Sequence, residues 1–340
     1  MKLGLYFNHS LIIVFLSFVS FWANAQATAP TTSQVKPLST LQTAQDLFNK
    51  GEYAKTTTLL WGNIDQLDRQ GLLLLVKAHE KKKEPGDMAR AANILIGKNE
   101  KDFEAHTFLG SAFLMQKKTK DAIESYKRAL ELNSKYEPAY MGLANIFEMR
   151  EPPNLYELRA LYQDMIDNIG PRPVYLSKMC EISAKDSTCE LAIRSCKEAI
   201  QKDTSIASNH VYLAVCLKAT GEENAANETF KKTAAKFKNS EVAQYHYAKV
   251  LEEQKNYIDA MKFYKAATEA DAKAARSWLG LATTSFEIRK FDVALIAYKN
   301  ACKFDKKTAA AFRKATTILR NSQNSEWSGK FESASENCTF

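Results

Sequence analysis

Apolar residues recur along most of the chain at intervals of three and four, in runs of twelve to fourteen residues parted by short polar turns. That spacing places one side of each run on a helix face, so the pattern predicts successive amphipathic helices and no sheet. The helices come in pairs with a period of 34: counting Ala207 as position 1 puts Leu213 and Ala214 at positions 7 and 8, Gly221 at 15, Ala226 at 20 and Phe230 at 24. One period on stand Tyr247, Ala248, Lys255, Ala260 and Tyr264, and another brings Trp278 at position 4, then Leu281, Ala282, Phe291, Ala294 and Tyr298. The same pattern runs through residues 103–136, with Leu109, Gly110, Phe113, Ala122, Tyr126 and Ala129. Weaker copies occupy 37–68, 69–102 and 173–206, and the copy at 137–172 carries two extra residues at Glu151-Pro152-Pro153. Those prolines bar helix continuation, so a local change of curvature is expected there.

These residues resemble the tetratricopeptide repeat family over about 280 of the 340 residues. The resemblance implies an all-α, right-handed superhelical solenoid of about eight helix pairs, each burying a face that only its neighbour can cover. Small residues at positions 8 and 20 allow close helix approach, and the ring at 24 fills the space beside the next pair. Ala309–Leu319 restarts a first helix and is expected to cap the stack alone, so residues 39–319 form the solenoid and 320–340 an irregular tail, rich in Asn, Ser and Gln.

The start of the chain has a different character. Lys2, an almost uncharged run from Leu11 to Trp22, and Ala23-Asn24-Ala25 make residues 1–25 a secretory signal, followed by a Thr, Ala and Pro linker at 26–38. The apolar run is shorter than the ~20 residues a membrane span needs, and the mature chain is expected to hold no transmembrane segment. An exported protein, in a bacterial periplasm, is the expectation. Losing Lys2 takes the net charge from +8 to +7, a mild excess with Lys and Glu interleaved. Lys81-Lys82-Lys83 is the one tight cationic run, which disfavours nucleic acid as a partner.

Chemistry is sparse. There is no G-x-S-x-G elbow and no Gly-rich phosphate loop, and Asp121 and Asp292 read as helix caps, so no enzyme is expected and no cofactor. His106 and His210 at position 4 read as half-buried packing residues, and neither His79 nor His246 has a ligand partner at zinc spacing. Six cysteines in an exported chain favour disulfides. The register makes Cys180 with Cys189 and Cys196 with Cys216 feasible, and Cys302 with Cys338 would clip the tail across the last repeat. Closing that loop would contribute about 3–4 kcal/mol.

In this family positions 2, 5, 9, 12 and 13 of first helices point into the concave groove. Here they include Leu114, Met115, Met141, Asn145, Met149, Val211, Val215, Tyr245, Leu279 and Phe286, an apolar lining suited to an extended peptide or amphipathic helix. Some of these side chains would instead pack between neighbouring helices. One subtype of the family clamps a C-terminal carboxylate with Lys, Asn and Arg; Asn145 suits the Asn position, but Thr107 and Met141 stand at position 5, so that clamp is not assembled. The expected function is a protein-binding scaffold in a cell-envelope assembly, with a structural or enzyme-accessory module as the alternative.

Overall fold

The computed structural model describes residues 39–338, so the expected signal and linker, and Phe340, lie outside the described residues. Within them the chain forms eighteen α-helices and no strand. They fall into nine pairs: α1 (Thr40–Asn49) with α2 (Tyr53–Trp61), α3 (Arg69–Lys82) with α4 (Pro85–Lys98), and α5 (Phe103–Met115) with α6 (Thr119–Leu132). Then follow α7 (Glu137–Glu148) with α8 (Leu155–Ile169), α9 (Pro173–Lys185) with α10 (Cys189–Lys202), and α11 (Ala207–Ala219) with α12 (Glu223–Lys236). The last three are α13 (Glu241–Glu253) with α14 (Tyr257–Ala270), α15 (Ala275–Glu287) with α16 (Phe291–Phe304), and α17 (Ala309–Asn321) with α18 (Ser325–Glu336). Each helix from α1 to α16 packs on its neighbours in sequence, and α17 joins α16 through Phe312 stacked on Tyr298, which makes an all-α superhelical solenoid.

The turn inside each pair follows one rule. The N–H of position 16 reaches back to the carbonyl of position 11, as in Glu84 to His79 at 3.0 Å, Lys118 to Phe113 at 2.9 Å and Asn256 to Leu251 at 2.8 Å. This Schellman closure needs a left-handed residue between, and position 15 supplies it: Lys83, Lys117, Ser187, Gly221, Lys255, Arg289 and Gln323 all have positive φ. Glycine takes that conformation without cost, yet most repeats hold a long side chain there. The fourth pair departs from the rule, because Glu151-Pro152-Pro153 lengthens its turn. Its closure still uses position 11, with Asn154 N–H donating to the Phe147 carbonyl at 3.2 Å, while the Asn154 side chain caps α8.

Position 4 fastens one pair to the next. Tyr140 donates its hydroxyl to Ser134 O (3.1 Å) and Trp278 its indole N–H to Ala272 O (2.9 Å), in each case to the turn six residues upstream. His106 and His210 make the same contact, Nε2 lying 3.0 Å from Glu100 O and 3.4 Å from Thr204 O. These two histidines are half-buried, and the residue type is explained by a flat ring carrying a donor at its tip. Burial lowers the pKa of His210, so a neutral ring donates its one N–H.

The core is a row of rings at position 24. Tyr126 is buried between Gly110 of its own pair and Gly142, at position 6 of the next, and a Cβ on either glycine would collide with the ring. Tyr264 stands against Gly280 in the same way. Position 24 therefore faces position 8 of its own pair, and this corrects the expected disulfide pairing. Cys180 at position 8 joins Cys196 at position 24 (Cα atoms 4.7 Å apart), and Cys189 joins Cys216 of the next pair (4.9 Å). The expectation of Cys180 with Cys189 and Cys196 with Cys216 failed because it placed position 24 against the following pair alone.

The C-terminal tail is not irregular either. Residues 325–336 form α18, the second helix of a ninth pair, where a lone capping helix was expected. Trp327, Phe331, Ala334 and Cys338 stand at helical spacing and form one apolar stripe hidden in a polar composition. Phe331 is fully buried against Phe312 and Tyr298, and Cys338 is joined to Cys302 (Cα atoms 5.8 Å apart). Outward, α18 shows Ser325, Glu326, Lys330, Ser333 and Glu336, a polar end for a stack that would otherwise expose its core.

Candidate functional site

The first helices of successive pairs touch one another, as α1 with α3, α3 with α5, α5 with α7, α9 with α11, α11 with α13 and α13 with α15. They lie on the inner side of the bend and form its concave wall. Between α7 and α9 no comparable contact exists. Ion pairs still span that seam, Arg172 with Glu137 at 2.7 Å and Lys178 with Glu148 at 3.2 Å, as Arg276 with Glu241 does between the touching α13 and α15.

Exposure along the wall is greatest beside this seam. Met141 and Met149 on and just after α7 are 48% and 67% exposed, Val174 on α9 is 56% exposed, and Met115, one repeat earlier at the position of Met149, is 41% exposed. Asn145 is exposed beside them and Leu114 is half-buried. Val174 was absent from the expected lining although position 2 of the fifth repeat foretells it.

Elsewhere the expected lining is consumed by packing. Val211 is only 1% exposed, in the core between α11 and its neighbours, and is withdrawn as a contact for a partner. Tyr245 is half-buried edge-on to Tyr264, with the Arg276 guanidinium 4.6 Å from its ring centre. Leu279 packs on the C-terminal core, and Phe286 is held between Phe291 (5.3 Å) and Phe331 (6.0 Å). Val215 borders a cavity of about 650 Å³ shared with Arg159, Thr188, Cys189 and Glu190. The seam thus joins Met141, Asn145 and Met149 with Val174, and leaves Tyr245, Leu279 and Phe286 to the packing of the later repeats.

Charge on the wall is paired rather than concentrated. Glu241 accepts from Arg276 (2.9 Å) and Ser277 (2.6 Å); burial opposes its ionisation, but these bonds outweigh it and the pKa falls. Glu252 accepts from the Tyr264 hydroxyl at 2.6 Å, and burial together with that carboxylate pushes the phenol pKa up. His246 stacks on Phe230, and burial, with Arg276 and Lys249 nearby, lowers its pKa to about 4. It is neutral at physiological pH.

One cluster could be mistaken for a metal site. The ligand atoms of His79, Glu84 and Asp87 lie within 4.8 Å of one another, although the sequence placed no carboxylate with His79 at ligand spacing. The Trp61 indole can only donate, and it meets His79 Nε2 at 2.8 Å, so Nδ1 carries the proton shared with Glu84 at 2.9 Å. Lys82 sits 2.9 Å from the same Glu84 oxygen and occupies the place of a cation. The arrangement is a hydrogen-bonded brace between the first two pairs.

Comparison with known proteins agrees with the fold. Residues 103–136 and 242–273 each match a family model described as tetratricopeptide repeat. These two stretches are tetratricopeptide repeats, and the helix pairs around them share their architecture. No curated protein matches it by sequence. Among solved structures, the C-terminal part of a repeat-containing protein of this kind from Cytophaga hutchinsonii superposes with a TM-score of 0.57 at 13% identity, over 71% of this chain and 99% of that one. A tetratricopeptide repeat protein from Parabacteroides merdae gives 0.50 at 13% identity, over 69% of this chain and 92% of that one. At such identities the likeness is one of fold.

Proposed function

We propose that this chain is a protein-binding scaffold whose principal contact surface is the seam between α7 and α9, and that it takes an extended peptide or one face of an amphipathic helix from a partner. The observation that carries the reading is the joint exposure of Met141, Met149 and Val174 on the concave wall, where Val211, Tyr245, Leu279 and Phe286 are covered and Met115 is less exposed than these three. Methionine side chains adapt to varied apolar partners, and contiguous apolar exposure on a concave surface is the usual mark of a contact site. The ion pairs Glu137–Arg172 and Glu148–Lys178 would frame that patch with a polar rim.

The same proposal places the mature protein outside the cytoplasm, in a bacterial periplasm, serving an envelope assembly. It is supported by the signal-like residues 1–25 and by six cysteines that all stand in pairing geometry. A photo-crosslinking residue at Met149 in the full chain, expressed in its native cell, should trap a discrete partner that Met141→Glu abolishes. Equal capture from Tyr156 would overturn the reading. Amino-terminal sequencing of the exported protein should begin at Gln26; an intact leader in the cytoplasm would refute export.

A further inference from the structure

A second surface lies at the far end of the stack, away from the seam. Between α16, the turn after it, α17 and α18 there is an open pocket of about 360 Å³. Lys299, Lys303 and Lys306 rim it. Its floor is apolar, made of Phe312, Ala334 and the Cys302–Cys338 bridge, and Asn337 closes one side. No carboxylate lines it, and none of the three ammonium groups makes an ion pair among the described residues. Two other pockets differ. Arg159 and Glu190 share the cavity of about 650 Å³, and where Arg90 and Lys118 line another, each lies over an aromatic ring, as Lys303 does over Phe304 at 5.4 Å.

Cations near the C-terminal end of a helix are favoured by the helix dipole, which accounts for one lysine in the last turn of α16. It does not account for three of them around one apolar floor. We infer that this pocket is a second docking site, for an acidic peptide segment of a partner protein that sets an apolar side chain on the floor and its carboxylates against Lys299, Lys303 and Lys306. Charge complementarity selects the occupant, because a chain of net charge +8 presents here three lysines without an ion pair around an apolar pocket. The type of cation selects the carboxylates: no arginine fork is present to grip one phosphate, whereas lysines spread over α16 and the next turn match charges spaced along a chain.

The site depends on the tail. Ala334, Asn337 and Cys338 come from α18 and its end, so the Cys302–Cys338 bond holds one wall in place. Reduction would open the pocket while leaving the seam between α7 and α9 unchanged, since each pair contacts only its neighbours.

The test is selection of a phage-displayed random library of twelve-residue peptides on the oxidised full-length mature chain, with counter-selection on the Lys299→Gln, Lys303→Gln, Lys306→Gln triple variant. The surviving peptides should be rich in Asp and Glu around one or two apolar residues. By fluorescence anisotropy they should bind the triple variant and the Cys302→Ser, Cys338→Ser variant at least tenfold more weakly. They should bind Met149→Glu as tightly as the parent, which separates this site from the seam. The lysine and Met149 variants change exposed residues and the cysteine variant buried ones, and far-UV circular dichroism checks that the helices persist in each. Selection of neutral peptides, equal binding to the triple variant, full displacement by millimolar inorganic phosphate, or lysine-dependent binding only to vesicles containing phosphatidylglycerol would each overturn the inference.

Discussion

The seam between α7 and α9 and the run from α11 to α16 are built from the same repeat and differ by two residues in one turn. From α11 to α15 the 34-residue period is kept and first helices touch, and the groove positions Val211, Tyr245, Leu279 and Phe286 are buried or half-buried. Where Glu151-Pro152-Pro153 lengthens the turn, the neighbouring first helices keep only the ion pairs that other neighbours also make, and the groove side chains Met141 and Met149 stand in solvent. Across α11 to α15 the regular repeat covers the groove, and the most exposed groove side chains stand beside the lengthened turn. A binding site on a solenoid can therefore be sought where the period breaks.

The difference can be broken most directly by truncation on each side of it. Phe312 is 1% exposed beneath the final pairs, and Phe312→Ala should cost about 3–5 kcal/mol of local stability. Met149→Ala should change stability by less than about 0.5 kcal/mol. Hydrogen exchange resolved by helix would show both, and equal protection loss in the two variants would contradict the contrast.

Acid should also discriminate the regions. His246 has a folded pKa lowered from 6.5 to about 4, so as pH falls below 6.5 the unfolded chain takes up a proton that the native ring refuses. Stability contributed by the neutral ring is complete above 6.5 and lost on descent to 4, on the order of 2–3 kcal/mol. Glu241 and Asp102, whose folded pKa values are depressed, add to acid loss below the ordinary carboxylate range. His246→Phe should flatten the slope between pH 6.5 and 4 in denaturant unfolding followed near α13, and leave the slope near α7 unaltered.

Smaller effects sharpen the account of packing. Gly280→Ala would drive a methyl into the Tyr264 ring and should cost about 1–3 kcal/mol, whereas Gly97→Ala meets open space within α4 and should stabilise by about 0.5–1 kcal/mol. Thermal unfolding of the two variants gives opposite shifts if the ring sets the constraint. Finally, Lys255→Gly and Arg289→Gly relieve left-handed backbone at φ values of 61° and 58° and should each stabilise by a few tenths to about 1 kcal/mol. A loss at either position would mean that the side chain contributes more than the backbone strain costs.

Much of the architecture was legible because periodicity is a property of the chain itself. The 34-residue register located the helix pairs, the small residues at positions 8 and 20, and the interrupted fourth turn. It failed for α18, because Ser and Asn between Trp327, Phe331 and Cys338 masked an apolar stripe that needed α16 and α17 to bury it. It failed for Cys180 and Cys196, because pairing depends on which way position 24 turns between two helices.

Candidate sites show the same division. The sequence by itself determined which residues occupy groove positions, since position within a helix pair follows from spacing alone. Only the tertiary structure decided which of those positions are available, because exposure depends on the distance between neighbouring first helices. That distance is set by turns such as Glu151-Pro152-Pro153 and by rings such as Tyr264 against Gly280, each of which acts on residues a full repeat away.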